Sequence, residues 1–260
     1  DPAGVDATPF GFFYPNQYIY AVSNINPKHS CLAKFKKGRL VKINSHKDVW
    51  GISSRNKEQA CAFDALFDPE IKLVTMTGIA GSGKTLLAAA SAVSQVLDEH
   101  LYKKMILTRP IQPMGKDIGY LPGTMEEKIS PWLAPLRDNL ELIFSDKGKQ
   151  YLDSLQDDGI ICSEVLSFIR GRSMPNIIMI LDEAQNLTMH EIKTILTRIG
   201  EKSKILISGD IYQIDNPYID AVDNGLSCAI EKFKDYDIAA HVTLSRGERS
   251  KLATLAAEIL

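Results

Sequence analysis

Gly78-Ile79-Ala80-Gly81-Ser82-Gly83-Lys84-Thr85 follows the apolar run Ile71-Lys-Leu-Val-Thr-Met-Thr77 and leads into Leu86-Leu-Ala-Ala-Ala-Ser-Ala-Val-Ser-Gln-Val-Leu97. A β-branched run, a glycine-rich turn and a helix-forming stretch give the order strand, loop, helix. In that order the spacing is that of a phosphate-binding loop. The glycines let successive backbone N–H groups turn inward as an anion cradle, Lys84 reaches the outer phosphates, and the Thr85 hydroxyl ligates the Mg²⁺ that travels with them. The helix N-terminus adds its positive dipole end. A glycine-rich surface turn is the competing reading, and the strand before and the helix after it count against it. The expected ligand is ATP or another nucleoside triphosphate, held by Gly78 through Leu86.

The 260 residues, 45% of them hydrophobic, suffice for one substantial core and a smaller appendage. No apolar stretch approaches bilayer length and no charged-then-apolar leader opens the chain, so neither membrane insertion nor secretion is expected. The start at Asp1, without methionine, reads as an excised part of something longer. Cys31, Cys61, Cys162 and Cys228 lack paired or zinc-like spacing, and read as reduced, mostly buried thiols of a cytoplasmic protein. A net charge of −2 gives no global pull on nucleic acid, so any such binding needs a local patch or an assembled surface.

Residues 1–52 form a small β-rich N-terminal segment, with aromatics in Phe10-Gly-Phe-Phe-Tyr-Pro-Asn-Gln-Tyr-Ile-Tyr20 and a basic run Lys34-Phe-Lys-Lys-Gly-Arg39. These could stack bases and hold phosphates, or simply pack on the neighbouring domain. From 53 to 260 short apolar runs alternate with helical patterns. Strands are expected at 71–77, 104–108, 177–181, 204–208 and 240–244, and helices at 85–97, 124–144, 189–199 and 251–259. This is an α/β pattern with a parallel sheet.

Ile177-Ile-Met-Ile-Leu-Asp182-Glu183-Ala-Gln185 places a carboxylate at the end of a buried strand. Such a group is costly to bury without a cation, and Mg²⁺ shared with the triphosphate supplies one, opposite Thr85. Glu183 is then placed to orient or deprotonate a water attacking the γ-phosphate; an acidic helix cap is the plainer alternative. Ile205-Leu-Ile-Ser208-Gly209-Asp210-Ile-Tyr-Gln213 is a second strand ending in polar residues, where ligands of an open parallel sheet sit. There Gln213 could sense the γ-phosphate or hold the attacking water, unless the stretch is an ordinary turn. Gln59, in the helical opening Asn56-Lys-Glu-Gln59, offers a donor and an acceptor that suit an adenine edge.

Gln59, the loop Gly78–Thr85, Thr108-Arg109-Pro110, Asp182-Glu183-Ala-Gln185 and Gly209-Asp-x-x-Gln213 together resemble the ATPase core of a superfamily one helicase. The stretch Arg109–Gly123, then Glu126-Glu-Lys, Pro131-Trp132 and Phe168-Ile-Arg170-Gly-Arg172, is similar to the PhoH family from about Val49 to the C-terminus. Val49-Trp-Gly-Ile52 and Val242-Thr-Leu-Ser-Arg246-Gly-Glu-Arg249-Ser look like the PhoH-like proteins that carry an N-terminal PIN ribonuclease domain. Residues 1–50 are too few for that domain and lack its spaced acidic cluster. The resemblance implies a P-loop NTPase with a RecA-like parallel sheet, ATP hydrolysis with Mg²⁺, and action on RNA or single-stranded DNA.

Superfamily one helicases bind ATP between two RecA-like cores, with an arginine from the second stabilising γ-phosphate charge, and this chain has room for one core. The expectation is that Arg246 or Arg249 of a neighbouring subunit supplies that charge in a homo-oligomer such as a hexameric ring. Arg109 reads equally as a contact to nucleic acid or nucleotide and as a strand-terminal arginine paired locally. Arg170 and Arg172 line an interface or a nucleic-acid channel, or flank a turn in solvent. Besides an RNA-directed ATPase, a nucleotide or small-molecule kinase and an ATP-gated assembly scaffold fit the loop. The kinase would want an arginine-bearing lid, whereas Glu183 suits water. A GTPase is disfavoured, because Asn56-Lys57 lacks the following aspartate and precedes the loop.

Overall fold

The computed structural model describes residues 3–26, 28–43, 48–110, 125–166, 171 and 173–247, with the backbone alone for 125–130. Two sheets organise it. The first is antiparallel, in the order β1-β4-β3-β2, and comprises β1 (Val5–Asp6), β2 (Tyr18–Val22), β3 (Ser30–Lys36) and β4 (Arg39–Lys42). It is the expected N-terminal appendage.

The second sheet has six strands, parallel throughout: β5 (Leu73–Gly78), β6 (Lys104–Thr108), β7 (Ile161–Ser163), β8 (Ile177–Leu181), β9 (Lys204–Gly209) and β10 (Ala239–Leu244), in the order β10-β5-β9-β8-β6-β7. Both faces are covered, as parallel sheets require. Along β8, Ile178 and Ile180 enter one core, while Ile177, Met179 and Leu181 enter the other. The first core is closed by α1 (Lys57–Phe67), α2 (Lys84–Leu97), α3 (Met125–Ile143) and α4 (Lys149–Asp157). The second is closed by α5 (Met189–Leu196) and α6 (Gly225–Phe233).

All five strands read from the sequence are present, with ends shifted by a residue or two. β7, α4 and α6 went unread. α5 stops at Leu196 rather than 199, and the helix expected at 251–259 lies outside the described residues. None of the cysteines is in a disulfide and only Cys61 is buried, so the expectation of mostly buried thiols fails at Cys31, which is exposed, and at the half-buried Cys162 and Cys228. Among the described residues no helix is long and apolar enough to cross a membrane.

Two buried polar clusters help to fasten the appendage. Asn16 Nδ2 donates to the Asp237 and Ala239 carbonyls at 2.8 Å each, beside the start of β10. Lys34 Nζ lies 2.7 Å from both Asp64 Oδ2 and Asp68 Oδ2 at the C-terminal end of α1, where Tyr18 also donates to Asp64. Beneath them Lys204, fully buried at the start of β9, caps the helix by donating to the Ala65, Leu66 and Asp68 carbonyls. Burial pushes its ammonium down to about 7. Just before residue 53, Val49 and Ile52 pair in a tight turn around Trp50 and Gly51. The Trp50 indole donates to Asp98 just beyond α2, so the turn packs with the core.

Candidate nucleotide site

β5, β8 and β9 are neighbours, and their C-terminal ends bring the three sequence constellations together. The loop between β5 and α2 depends on its glycines. A Cβ on Gly78 would lie 2.3 Å from the Leu244 carbonyl oxygen, and Gly83, the N-cap of α2, is left-handed at φ 90°. That cap offers no side-chain hydrogen bond, so the first turn of a fourteen-residue helix keeps N–H groups for an anion. Lys84 folds back over the loop, its Nζ 2.7 Å from the Gly78 carbonyl and 3.0 Å from that of Ile79. Ser82 Oγ is buried with no hydrogen-bond partner among the described residues.

Asp182 is the hub. Its Oδ2 accepts from Thr85 Oγ1 at 3.0 Å, and its Oδ1 accepts from Ser208 Oγ at 2.7 Å, with the residue 6% exposed. The carboxylate thus joins the P-loop helix to β9, the strand lying between β5 and β8. Thr85 and Asp182 were paired in the sequence reading; the donor role of Ser208 was not.

Glu183 sits in the left-handed region at φ 55°, ψ 35°, a conformation that costs a non-glycine residue about 1 kcal/mol. What holds it is Gln185, whose Nε2 donates to Glu183 Oε2 at 2.6 Å and to the Gln213 carbonyl at 2.9 Å, while its Oε1 accepts the Asp210 N–H at 3.1 Å. Gln185 is fully buried, and a Cβ on Gly209 would lie 2.3 Å from its Oε1. Gln213 joins the site through its backbone, with its side chain in the exposed class. The sequence quoted Gln185 but gave it no role. The available signal was weak, an amide in the polar run Asp182–Asn186 directly after a buried strand, which must have partners wherever it is buried.

Gln59 lies against the loop. Its Nε2 donates to the Ser82 carbonyl at 3.0 Å and its Oε1 accepts the Arg55 N–H at 2.8 Å. A cavity of about 300 Å³ opens there, with Ile52, Arg55, Gln59 and Leu86 in its walls.

Arg246 is exposed just past β10, the strand paired with β5. The Ser245 N–H donates to Glu58 Oε2 at 2.7 Å, and a Cβ on Gly247 would touch Ile79 Cδ1 at 3.3 Å, so Arg246 emerges beside its own P-loop. Arg109 follows β6, and its Nε is buried without a partner among the described residues. Arg170, Arg172 and Arg249 lie outside the described residues.

Comparison with known proteins shows the family. Residues 51–259 match the PhoH family, described as PhoH-like protein. Protein PhoH2 of Bacillus subtilis is 48% identical over 252 residues, covering 95% of this chain and 57% of the relative. Protein PhoH2 of Thermobispora bispora is 35% identical, over 91% of this chain and 54% of the relative. A PhoH-like protein of Bacillus subtilis is 34% identical, over 84% and 74%. The chain spans about half the length of the PhoH2 relatives it matches. Among solved structures, Pif1 helicase from Candida albicans superposes with a TM-score of 0.40 at 15% identity, over 80% of this chain and 43% of that one. With most of its length matching one family, and its P-loop, Asp182-Glu183 and Gly209-Asp210 stretches gathered at one end of a parallel sheet, the chain belongs to the PhoH-like family.

Proposed function

We propose that the chain is an Mg²⁺-dependent ATP hydrolase that couples turnover to the binding, unwinding or remodelling of RNA, with single-stranded DNA as the other polymer to test. The observation that carries this reading is the Asp182 carboxylate, held between the hydroxyls of Thr85 and Ser208 at the mouth of the P-loop. Next to it, Gln185 holds the Glu183 carboxylate beside the Gln213 main chain.

The residues present fit Mg²⁺. Among the described residues no group of three or more His, Cys, Asp or Glu side chains gathers. Thr85 and Asp182 would therefore hold the ion with substrate phosphates and water, the usual arrangement for Mg²⁺ beside a nucleotide. When bound, it neutralises charge on the β- and γ-phosphates. The protein's own groups do the rest. The loop and the N-terminus of α2 bind the phosphates, and Lys84 exchanges its two carbonyl contacts for phosphate oxygens. Glu183 orients a water and accepts its proton. Gln213, whose main chain already meets the site, is the candidate sensor of the γ-phosphate.

One cationic partner remains to be supplied. The candidates for that role are Arg246 and Arg249 of a neighbouring subunit in a homo-oligomer, for which a hexameric ring is one closed form, and Arg109, Arg170 and Arg172 are the candidate contacts to the polymer. A PIN ribonuclease domain in a longer form of the protein would be the consumer of the handled RNA. The deciding experiment measures ATP turnover with and without single-stranded RNA or DNA, on protein whose solution mass is determined with and without ATP. Stimulation by one polymer supports the motor reading, and phosphate transfer to a metabolite would replace it with a kinase.

A further inference from the structure

The cavity beside the P-loop contains little that distinguishes one base from another. Its walls include Ile52, Ser53, Arg55, Gln59, Gly83 and Leu86. Gln59 is its one buried polar side chain among the lining residues, and both ends of that amide are already engaged, with the Arg55 N–H and with the Ser82 carbonyl. The amide lies flush on the loop, since a Cβ on Gly83 would stand 3.2 Å from Nε2. The turn above is satisfied too. The Gly51 N–H donates to Asp48 Oδ1 at 3.0 Å, and Val49 and Ile52 exchange both main-chain hydrogen bonds. What is left for a base is the apolar surface of Ile52 and Leu86, which packs on any heterocycle, and the exposed Ser53 and Arg55 side chains, which water satisfies as readily as a base does.

We propose that the site takes nucleoside triphosphates with little regard to the base, and that Gln59 is a positioning residue of the phosphate loop, not a reader of adenine. Strong discrimination arises when a wrong substrate strands a polar group of the site. Here the buried Gln59 amide is satisfied by the protein itself and the exposed Ser53 and Arg55 side chains by solvent, so a change of base strands no buried group. Affinity then comes from the phosphates, and Gln59 contributes by fixing the Ser82 carbonyl, hence the course of the loop from Gly81 to Gly83. This inference rests on the nucleotide-site reading above.

Calorimetric titrations with ATP, GTP, CTP, UTP and inorganic tripolyphosphate, each with Mg²⁺, test it on the wild-type chain, Gln59→Ala and Gln59→Glu. The glutamate keeps an acceptor for the Arg55 N–H and loses the donor to Ser82, and it carries the test if the alanine variant does not fold. The four nucleotides are expected to bind within about tenfold of one another. Both variants should lose the same factor, about three- to tenfold, for every nucleotide and for tripolyphosphate alike. An ATP preference above about a hundredfold, or a loss of ATP affinity with tripolyphosphate binding intact, overturns the inference. Failure of the wild-type chain to bind any nucleotide or tripolyphosphate overturns the nucleotide-site reading instead.

Discussion

Gln185 Nε2 stands 2.6 Å from Glu183 Oε2, and the same amide group also donates to the Gln213 carbonyl and accepts the Asp210 N–H. One buried side chain therefore sets the position of the proposed catalytic carboxylate by reference to the loop after β9. Gln185→Met keeps the volume and removes every one of these bonds. Turnover is expected to fall on the order of 10–100-fold, because a displaced Glu183 no longer meets its water, while nucleotide affinity stays close to wild type. Steady-state kinetics beside equilibrium binding would check this; a variant that loses affinity and keeps turnover would show Gln185 to belong to the binding surface.

Ser208 steadies Asp182 from the side opposite Thr85, with 2.7 Å between Ser208 Oγ and Asp182 Oδ1. Removing the hydroxyl in Ser208→Ala leaves a buried carboxylate oxygen without its donor, at a cost of about 1–3 kcal/mol in folding stability. The carboxylate is also less well oriented, so the Mg²⁺ concentration for half-maximal activity should rise severalfold. A magnesium titration of both proteins reads this directly, and superimposable curves would remove Ser208 from the site.

Gly209 has no room for a side chain, since its Cβ would overlap Gln185 Oε1 at 2.3 Å and Leu226 Cδ2 at 2.8 Å. Gly209→Ala must push the Gln185 amide off Asp210 or move α6. A stability loss of about 2–4 kcal/mol in chemical denaturation is expected, together with a turnover defect like that of Gln185→Met. An active and fully stable alanine variant would mean that the clamp is not rigid.

The three candidate stretches were legible because each combines a buried strand with polar residues at its end, and that places them at one end of a parallel sheet. Gln185 and Ser208 were harder. Their roles are partnerships across strands, and a sequence shows which residues are polar without showing which ones meet. Lys204 opens a strand that was read correctly, but its type does not show that it is fully buried as the cap of α1. Gln59 matched an adenine reader in type and place, and only its contacts reveal that the loop already occupies it. β7, with three residues, and α4, with an apolar face of few residues, were too short for periodicity to register.

His241 lies on β10 among the Thr75, Thr77 and Thr243 hydroxyls, with Nδ1 3.0 Å from Thr75 Oγ1, and burial pushes its imidazole down to about 4. In the unfolded chain the ring titrates near 6.5, so between those values the unfolded state binds the additional proton and stability falls as the pH is lowered. The full contribution is present above about 6.5. On the order of 1–2 kcal/mol should be lost by pH 4, and His241→Gln should lack this component. Melting curves of the two proteins from pH 7 to 4 would decide it, parallel pH profiles being the contrary result.

The central claim is hydrolysis by Glu183 at a triphosphate held on Lys84, Thr85 and Asp182. It is tested most directly by measuring ATP binding and phosphate release together for wild type and Glu183→Gln. The amide keeps the shape of the side chain and cannot take a proton from water, so binding should persist while phosphate release falls at least about a hundredfold. Phosphate release by Glu183→Gln at the wild-type rate would contradict the account.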